Sequence, residues 1–261
     1  MLKEGKFLKY EGKKIFYYLK RGKKIFLFIH GVGGCSEHFF KVKNYLKDDN
    51  GFLLIDLPGF GRSFRKGAPP KNLLRHHFKS MIFVLKHLNI KKINVIFFSL
   101  STCYLKFLIF SSKWKDVEKV FFIEPSIVKH DLDWSLKVFE LGRTEYKNYI
   151  KKFKSNYKKI LNLTFPDISS KKKDIFIQSI KKMNGEYLHN LIKNSVQLIL
   201  SKKILFLIKN LKKKVFFIYS EKNSQYKFKI KKKRNRFYKI KSKYHHIMLD
   251  KPKEVYSKIL K

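Results

Sequence analysis

Alanine occurs once in this 261-residue chain, at Ala68. The core must therefore be built from Phe, Ile, Leu and Val, which favour sheets and bulky helices. Cysteine is almost as scarce: Cys35 and Cys103 supply neither a disulfide framework nor a zinc-ligand pattern, and both read as free thiols. No apolar run approaches the roughly 20 residues that span a bilayer, and the opening Met-Leu-Lys-Glu-Gly-Lys lacks the apolar core of a signal peptide. The expectation is a cytoplasmic protein without a membrane span. No cluster of metal-ligand residues is seen, and the glycine-containing loops lack the G-x-G-x-x-G and lysine-bearing phosphate patterns. No metal or organic cofactor is implied.

Acidic residues are the other shortage, 19 against 61 basic ones, for a formal net charge of +42. A nucleic-acid partner is the first reading of such a balance. All but seven of the basic residues are Lys, however, and they are scattered through every segment without a groove-reading helix or an aromatic-plus-basic motif. Together with the abundance of Phe, Ile, Asn and Tyr, this matches drift towards A/T-rich codons. The charge would still attract RNA, anionic lipid or an acidic carrier protein non-specifically. The densest run, Lys229 to Lys233 with Arg234 and Arg236, reads as a solvated loop.

The length suits one α/β domain with an insertion. Short strands over Phe7–Tyr10, Lys14–Leu19 and Lys24–Ile29 flank turn signals and are expected to form an antiparallel edge. Alternation follows: strand Phe52–Asp56, helix Asn72–Leu88, strand Asn94–Phe98, helix Ser101–Phe110, strand Lys119–Ile123. Strands Val215–Tyr219 and Phe237–Ile240 and a helix from about Lys253 close the chain. Apolar runs of this length separated by helices predict a mostly parallel central sheet with helices on both faces. Between Pro125 and Lys214 only helical periodicity remains, as in Tyr146, Tyr149, Ile150, Phe153 and Tyr157. Residues 126–212 therefore read as a helical cap inserted into a core of residues 1–125 and 213–261, placed over the carboxyl ends of the strands where open α/β sheets bind ligands.

Ser99 ends the run Ile93-Asn94-Val95-Ile96-Phe97-Phe98 and is followed at once by a helical pattern. A sharp strand-to-helix turn lifts a hydroxyl out of the sheet, and the helix start favours negative charge developing there. That is where an acyl-transfer nucleophile would be mounted. An acid, Glu124, ends a later strand, and His245 lies near the C-terminus, where it could serve as general base. His76, His77, His87, His130 and His189 have no motif around them.

Two segments resemble the α/β-hydrolase superfamily. His30-Gly31-Val32-Gly33-Gly34 matches its H-G-x-G-G loop, and Asp56-Leu57-Pro58-Gly59-Phe60-Gly61-Arg62-Ser63 matches its D-x-P-G-x-G-x-S turn. The segment from His245 to Pro252 is similar to its G-H-x-x-M-x-x-x-P ending, and alignment on Met248 and Pro252 selects His245 over His246. The resemblance implies an α/β-hydrolase fold and a serine hydrolase that cleaves a carboxylic ester or related acyl bond through an acyl-enzyme on Ser99. It also implies an oxyanion hole from the N–H groups of Val32 and Leu100, and His30, Gly31 and Gly33 in the loop facing the substrate. The usual acid position falls on Asn223. Glu124 occupies the alternative position used by some members, and Glu221 is a reserve. The elbow G-x-S-x-G reads Phe97-Phe98-Ser99-Leu100-Ser101, and its bulky Phe97 leaves a catalytically impaired binding protein as the alternative. The Tyr, Phe and Ile of the cap suggest a small-molecule acyl substrate with a moderately apolar group.

Overall fold

A computed structural model describes residues 5–47, 49–128, 174–175, 177–179, 182–221 and 235–260. Its eight strands are β1 (Lys6–Tyr10), β2 (Lys13–Lys20), β3 (Lys24–Ile29), β4 (Asn50–Ile55), β5 (Ile93–Phe98), β6 (Val117–Ile123), β7 (Val215–Ser220) and β8 (Arg236–Ile240). They form one sheet in the order β1-β2-β4-β3-β5-β6-β7-β8. Antiparallel pairing is confined to β1 with β2 and β2 with β4, and every other pair is parallel.

The antiparallel edge is thus narrower than the sequence suggests, because β3 lies inside the sheet and runs parallel to β4 and β5. Its five residues Ile25–Ile29 are all buried, the pattern of a strand covered on both faces. The outer strand β1 is largely exposed. Since the chain passes from β3 to β4 on one side and returns to β5 on the other, a crevice opens at the carboxyl ends of β3 and β5. Both the His30–Gly34 loop and Ser99 emerge there.

Each strand feeds two cores because successive side chains point to opposite faces. Val95 and Phe97 enter one apolar cluster, and Ile96 and Phe98 enter the other. The first cluster is closed by α1 (Leu73–His87), α2 (Leu105–Ile109), α3 (Gly185–Leu200) and α4 (Lys203–Asn210). The second is closed by a 3-10 helix over Ser36–Asn44, by α5 (Ile247–Asp250) and by α6 (Pro252–Ile259). α1 starts where the Asn72 side chain accepts from the N–H of Arg75 at 3.1 Å, a cap of about 1 kcal/mol. α3 starts in the same way, with Asn184 accepting from Glu186 and Tyr187.

The helix expected over Ser101–Phe110 begins two residues earlier as a 3-10 helix, Ser99–Tyr104, and turns into α2. Thr102 Oγ1 donates to the carbonyl of Ser99 at 2.7 Å, and Ser101 Oγ lies 2.8 Å from that of Phe98. Both contacts reach back three residues, which favours the tighter winding over the α pattern. The helical reading of Tyr146–Tyr157 and the basic run Lys229–Arg234 lie outside the described residues.

Candidate active site

Ser99 stands at the end of β5 with φ of +56°. A residue with a side chain is seldom found in that region, at a cost of order 1–3 kcal/mol. The turn is held by Ser101, whose hydroxyl accepts from the N–H of Phe98 at 2.8 Å and lies 3.0 Å from the carbonyl of Ile29. One hydroxyl thereby ties the end of β5 to the end of β3. Gly31 faces the same turn, and a Cβ there would come within 2.9 Å of the Ser99 Cβ. Only glycine lets the loop after β3 run this close to the serine.

The bulky Phe97 does not crowd the turn. Its side chain is fully buried and stacks on Phe122 of the neighbouring strand, with ring centroids 5.6 Å apart and planes within 20°. The sheet face absorbs the ring.

His245 lies between β8 and α5 and places Nε2 2.8 Å from Ser99 Oγ. Its ring rests against Phe98 at a centroid distance of 5.2 Å. On the other side, Nδ1 is 3.7 Å from Glu124 Oε2, an ion-pair distance longer than a hydrogen bond. Glu124 follows β6, also with positive φ, +45°. Its side chain is wholly buried, and Oε1 accepts from the backbone N–H of Ser220 at the end of β7. Ser99, His245 and Glu124 are therefore in one line, brought from three separate parts of the chain. Glu221 is elsewhere: it is exposed and lies 3.9 Å from Lys239. Asn223 is outside the described residues.

The two glycine-containing segments are locked to each other by buried polar groups. His30 accepts from the N–H of Leu57 at Nε2 (3.1 Å), so its Nδ1–H donates to the carbonyl of Gly31 at 2.9 Å. Burial lowers the pKa of this imidazole and keeps it neutral. His30 thus lies behind the loop and braces it. Asp56 accepts from the N–H of Ser36 at 2.6 Å and of Arg62 at 2.7 Å. Ser63 donates to the Asp56 carbonyl at 2.5 Å and accepts from the N–H of Phe16 at 2.8 Å. These contacts explain why the turn uses Asp and Ser at its two ends.

His77 carries no motif, yet it joins three elements. Its Nε2–H donates to the carbonyl of Pro58 at 2.8 Å, and its Nδ1 therefore accepts from the Tyr104 hydroxyl at 2.7 Å. The turn, α1 and the segment after Ser99 are thereby fastened together. Burial pushes its pKa down to about 3. Its only sequence signal is a polar residue on the buried face of a helix.

Val32 follows Gly31 and is half-buried, and Leu100 follows Ser99 and is buried, so both backbones flank the serine. The described residues that lead into α3 reach the same loops. Ser179 donates to the carbonyl of Gly33 at 2.8 Å, and the N–H of Asn184 donates to that of Gly59 at 2.8 Å. Tyr187 occupies the space where a Gly59 side chain would stand, and Gly59 itself has φ of +88°. Among the described residues, no group of three or more His, Cys, Asp or Glu side chains could hold a metal ion. No helix there is long and apolar enough to cross a membrane.

A family model described as alpha/beta hydrolase fold matches residues 24–103. No curated protein matches the sequence. Among solved structures, an esterase from Exiguobacterium antarcticum is similar with a TM-score of 0.76 at 13% identity, covering 98% of each chain. A carboxylesterase from Nitrososphaera gargenis gives 0.70 at 18% identity, over 98% of this chain and 96% of its own. The haloalkane dehalogenase DatA from Agrobacterium tumefaciens C58 gives 0.76 at 11% identity, over 98% and 94%. At these identities the likeness concerns architecture, and architecture alone does not choose a reaction. The sheet order, the loop and turn within residues 24–103 and these likenesses identify the chain as one with the α/β-hydrolase fold.

Proposed function

We propose that this protein is a serine hydrolase that cleaves a carboxylic ester or related acyl bond. The observation that carries the reading is the 2.8 Å approach of His245 Nε2 to Ser99 Oγ at a serine held in a left-handed backbone. In this reading His245 removes the Ser99 proton as Oγ attacks the acyl carbon, and the N–H groups of Val32 and Leu100 bind the developing oxyanion. His245 then gives the proton to the departing alcohol, leaving an acyl-enzyme on Ser99. Water activated by the same imidazole releases the acid and restores the serine. Glu124 fixes the ring and stabilises its charged form. A gap of 3.7 Å is compatible with that role, because catalytic contacts often tighten only when substrate is bound.

Residues 126–212 serve in this reading as a cap. The contacts of Ser179 and Asn184 with Gly33 and Gly59 support it, since they hold one end of the insertion against the loops around the serine. The substrate is a small acyl compound with a moderately apolar group.

Turnover of short p-nitrophenyl esters by the purified protein, beside a Ser99→Ala variant, tests the reading. Hydrolysis that vanishes in the variant supports it. Equal rates in the two proteins, or no hydrolysis of any acyl substrate, favour a binding protein built on the same fold.

A further inference from the structure

Among the described residues, the two most exposed large apolar side chains lie on neighbouring helices. Phe110, at the end of α2, is 78% exposed, and Phe206, on α4, is 67% exposed, with Leu200 nearby at the end of α3. Phe110 and Phe206 line an open apolar groove of about 460 Å³ whose rim carries Lys106, Lys202 and Lys203. α2 leads away from the nucleophile turn towards the start of β6, so this patch lies towards the amino ends of the strands, opposite the candidate active site.

α4 reads Lys-Ile-Leu-Phe-Leu-Ile-Lys-Asn; Ile204 and Ile208 are buried in the first apolar cluster while Phe206 is exposed. A surface helix ordinarily presents polar residues on its outer face, and two outward phenylalanines beside a groove mark a surface that something covers. The charge narrows the occupant. A second copy of this chain would bring the same lysine rim and another +42 against the first, which opposes self-association. An anionic occupant fits. A specific acidic protein would need a local pattern to register against, but the lysines run through every segment. A uniform anionic plane needs no such register.

We propose that this patch seats the protein on an anionic lipid bilayer. Phe110 and Phe206 enter the boundary between headgroups and acyl chains, while Lys106, Lys202 and Lys203 extend along the apolar surface to reach lipid phosphates. The docked protein keeps its Ser99 crevice on the side away from the membrane. The proposal does not depend on whether Ser99 reacts.

Co-sedimentation with phosphatidylcholine vesicles, with and without about 30% phosphatidylglycerol, tests it. The unaltered protein should bind the anionic vesicles and not the neutral ones. The double variant Phe110→Ser, Phe206→Ser, which leaves the charge unchanged, should bind about tenfold or more weakly. Phe7→Ser, an exposed phenylalanine on the distant strand β1, should bind like the unaltered protein. Lys202→Glu with Lys203→Glu should also weaken binding, and circular dichroism should show all variants folded. Equal binding by the Phe110/Phe206 variant would overturn the proposal, because attraction would then come from diffuse charge alone. Failure of the unaltered protein to bind anionic vesicles would also overturn it and leave the patch to a protein partner.

Discussion

Ser99 and Glu124 end neighbouring parallel strands, both with positive φ, yet one is partly open and the other wholly buried. Ser99 is partly exposed, and its turn is fixed by hydroxyls at positions 101 and 102 together with the close pass of Gly31 from the loop after β3. Glu124 is buried and held by a backbone N–H that lies 96 residues further along the chain. One position offers a group to solvent, and the other keeps a carboxylate dry beside an imidazole. Such a division suits a nucleophile and an orienting acid.

Substitutions at the two positions should separate their roles. Ser99→Ala should remove ester hydrolysis by about 10⁴-fold or more with little effect on thermal stability, as steady-state kinetics and a melting curve would show. Glu124→Gln should lower kcat by about 10²- to 10⁴-fold while KM changes little, because the imidazole loses its charge partner and the substrate contacts remain. A Glu124→Gln enzyme with unaltered kcat would place the acid elsewhere. Phe97→Ala should cost about 3–5 kcal/mol of stability, since it empties a stacked position beside Phe122. Chemical denaturation would measure this.

Much of the molecule was legible from residue patterns, and the exceptions have physical causes. The loop at His30 and the turn at Asp56 work through contacts within or between short segments, so their letters identify them. The strand runs were legible because burial on both faces leaves an unbroken apolar run. The pairing of β3 was not, because strand order is set by crossovers and leaves no mark within the strand itself. The role of His77 was hidden for a related reason. Its partners, Pro58 and Tyr104, come from two other segments, and no spacing rule connects them. Glu124 could be named as a candidate, but its backbone support from Ser220 is a property of the assembled sheet.

A separate effect concerns acid. Burial pushes the pKa of His38 and His77 down to about 3, and those of His30 and His246 also fall below 6.5. In the unfolded chain these imidazoles take up protons near pH 6.5. The unfolded state therefore holds more protons between about pH 6.5 and 3, and stability is lost as pH falls through that window. The Tm should drop steadily from pH 7 to pH 5, and a flat Tm would contradict neutral burial of these rings. At the low end of the scale, Glu221→Gln should change activity by less than about twofold and stability by under about 0.5 kcal/mol. Its carboxylate meets only Lys239 at the surface among the described ion pairs.

Activation of Ser99 by His245 is open to direct measurement. A fluorophosphonate probe, followed by peptide mass mapping, measures this directly. One labelled site is expected, at Ser99, with labelling lost in Ser99→Ala and slowed severely in His245→Ala. An unlabelled Ser99 in the folded protein, or labelling that is indifferent to His245, would contradict it.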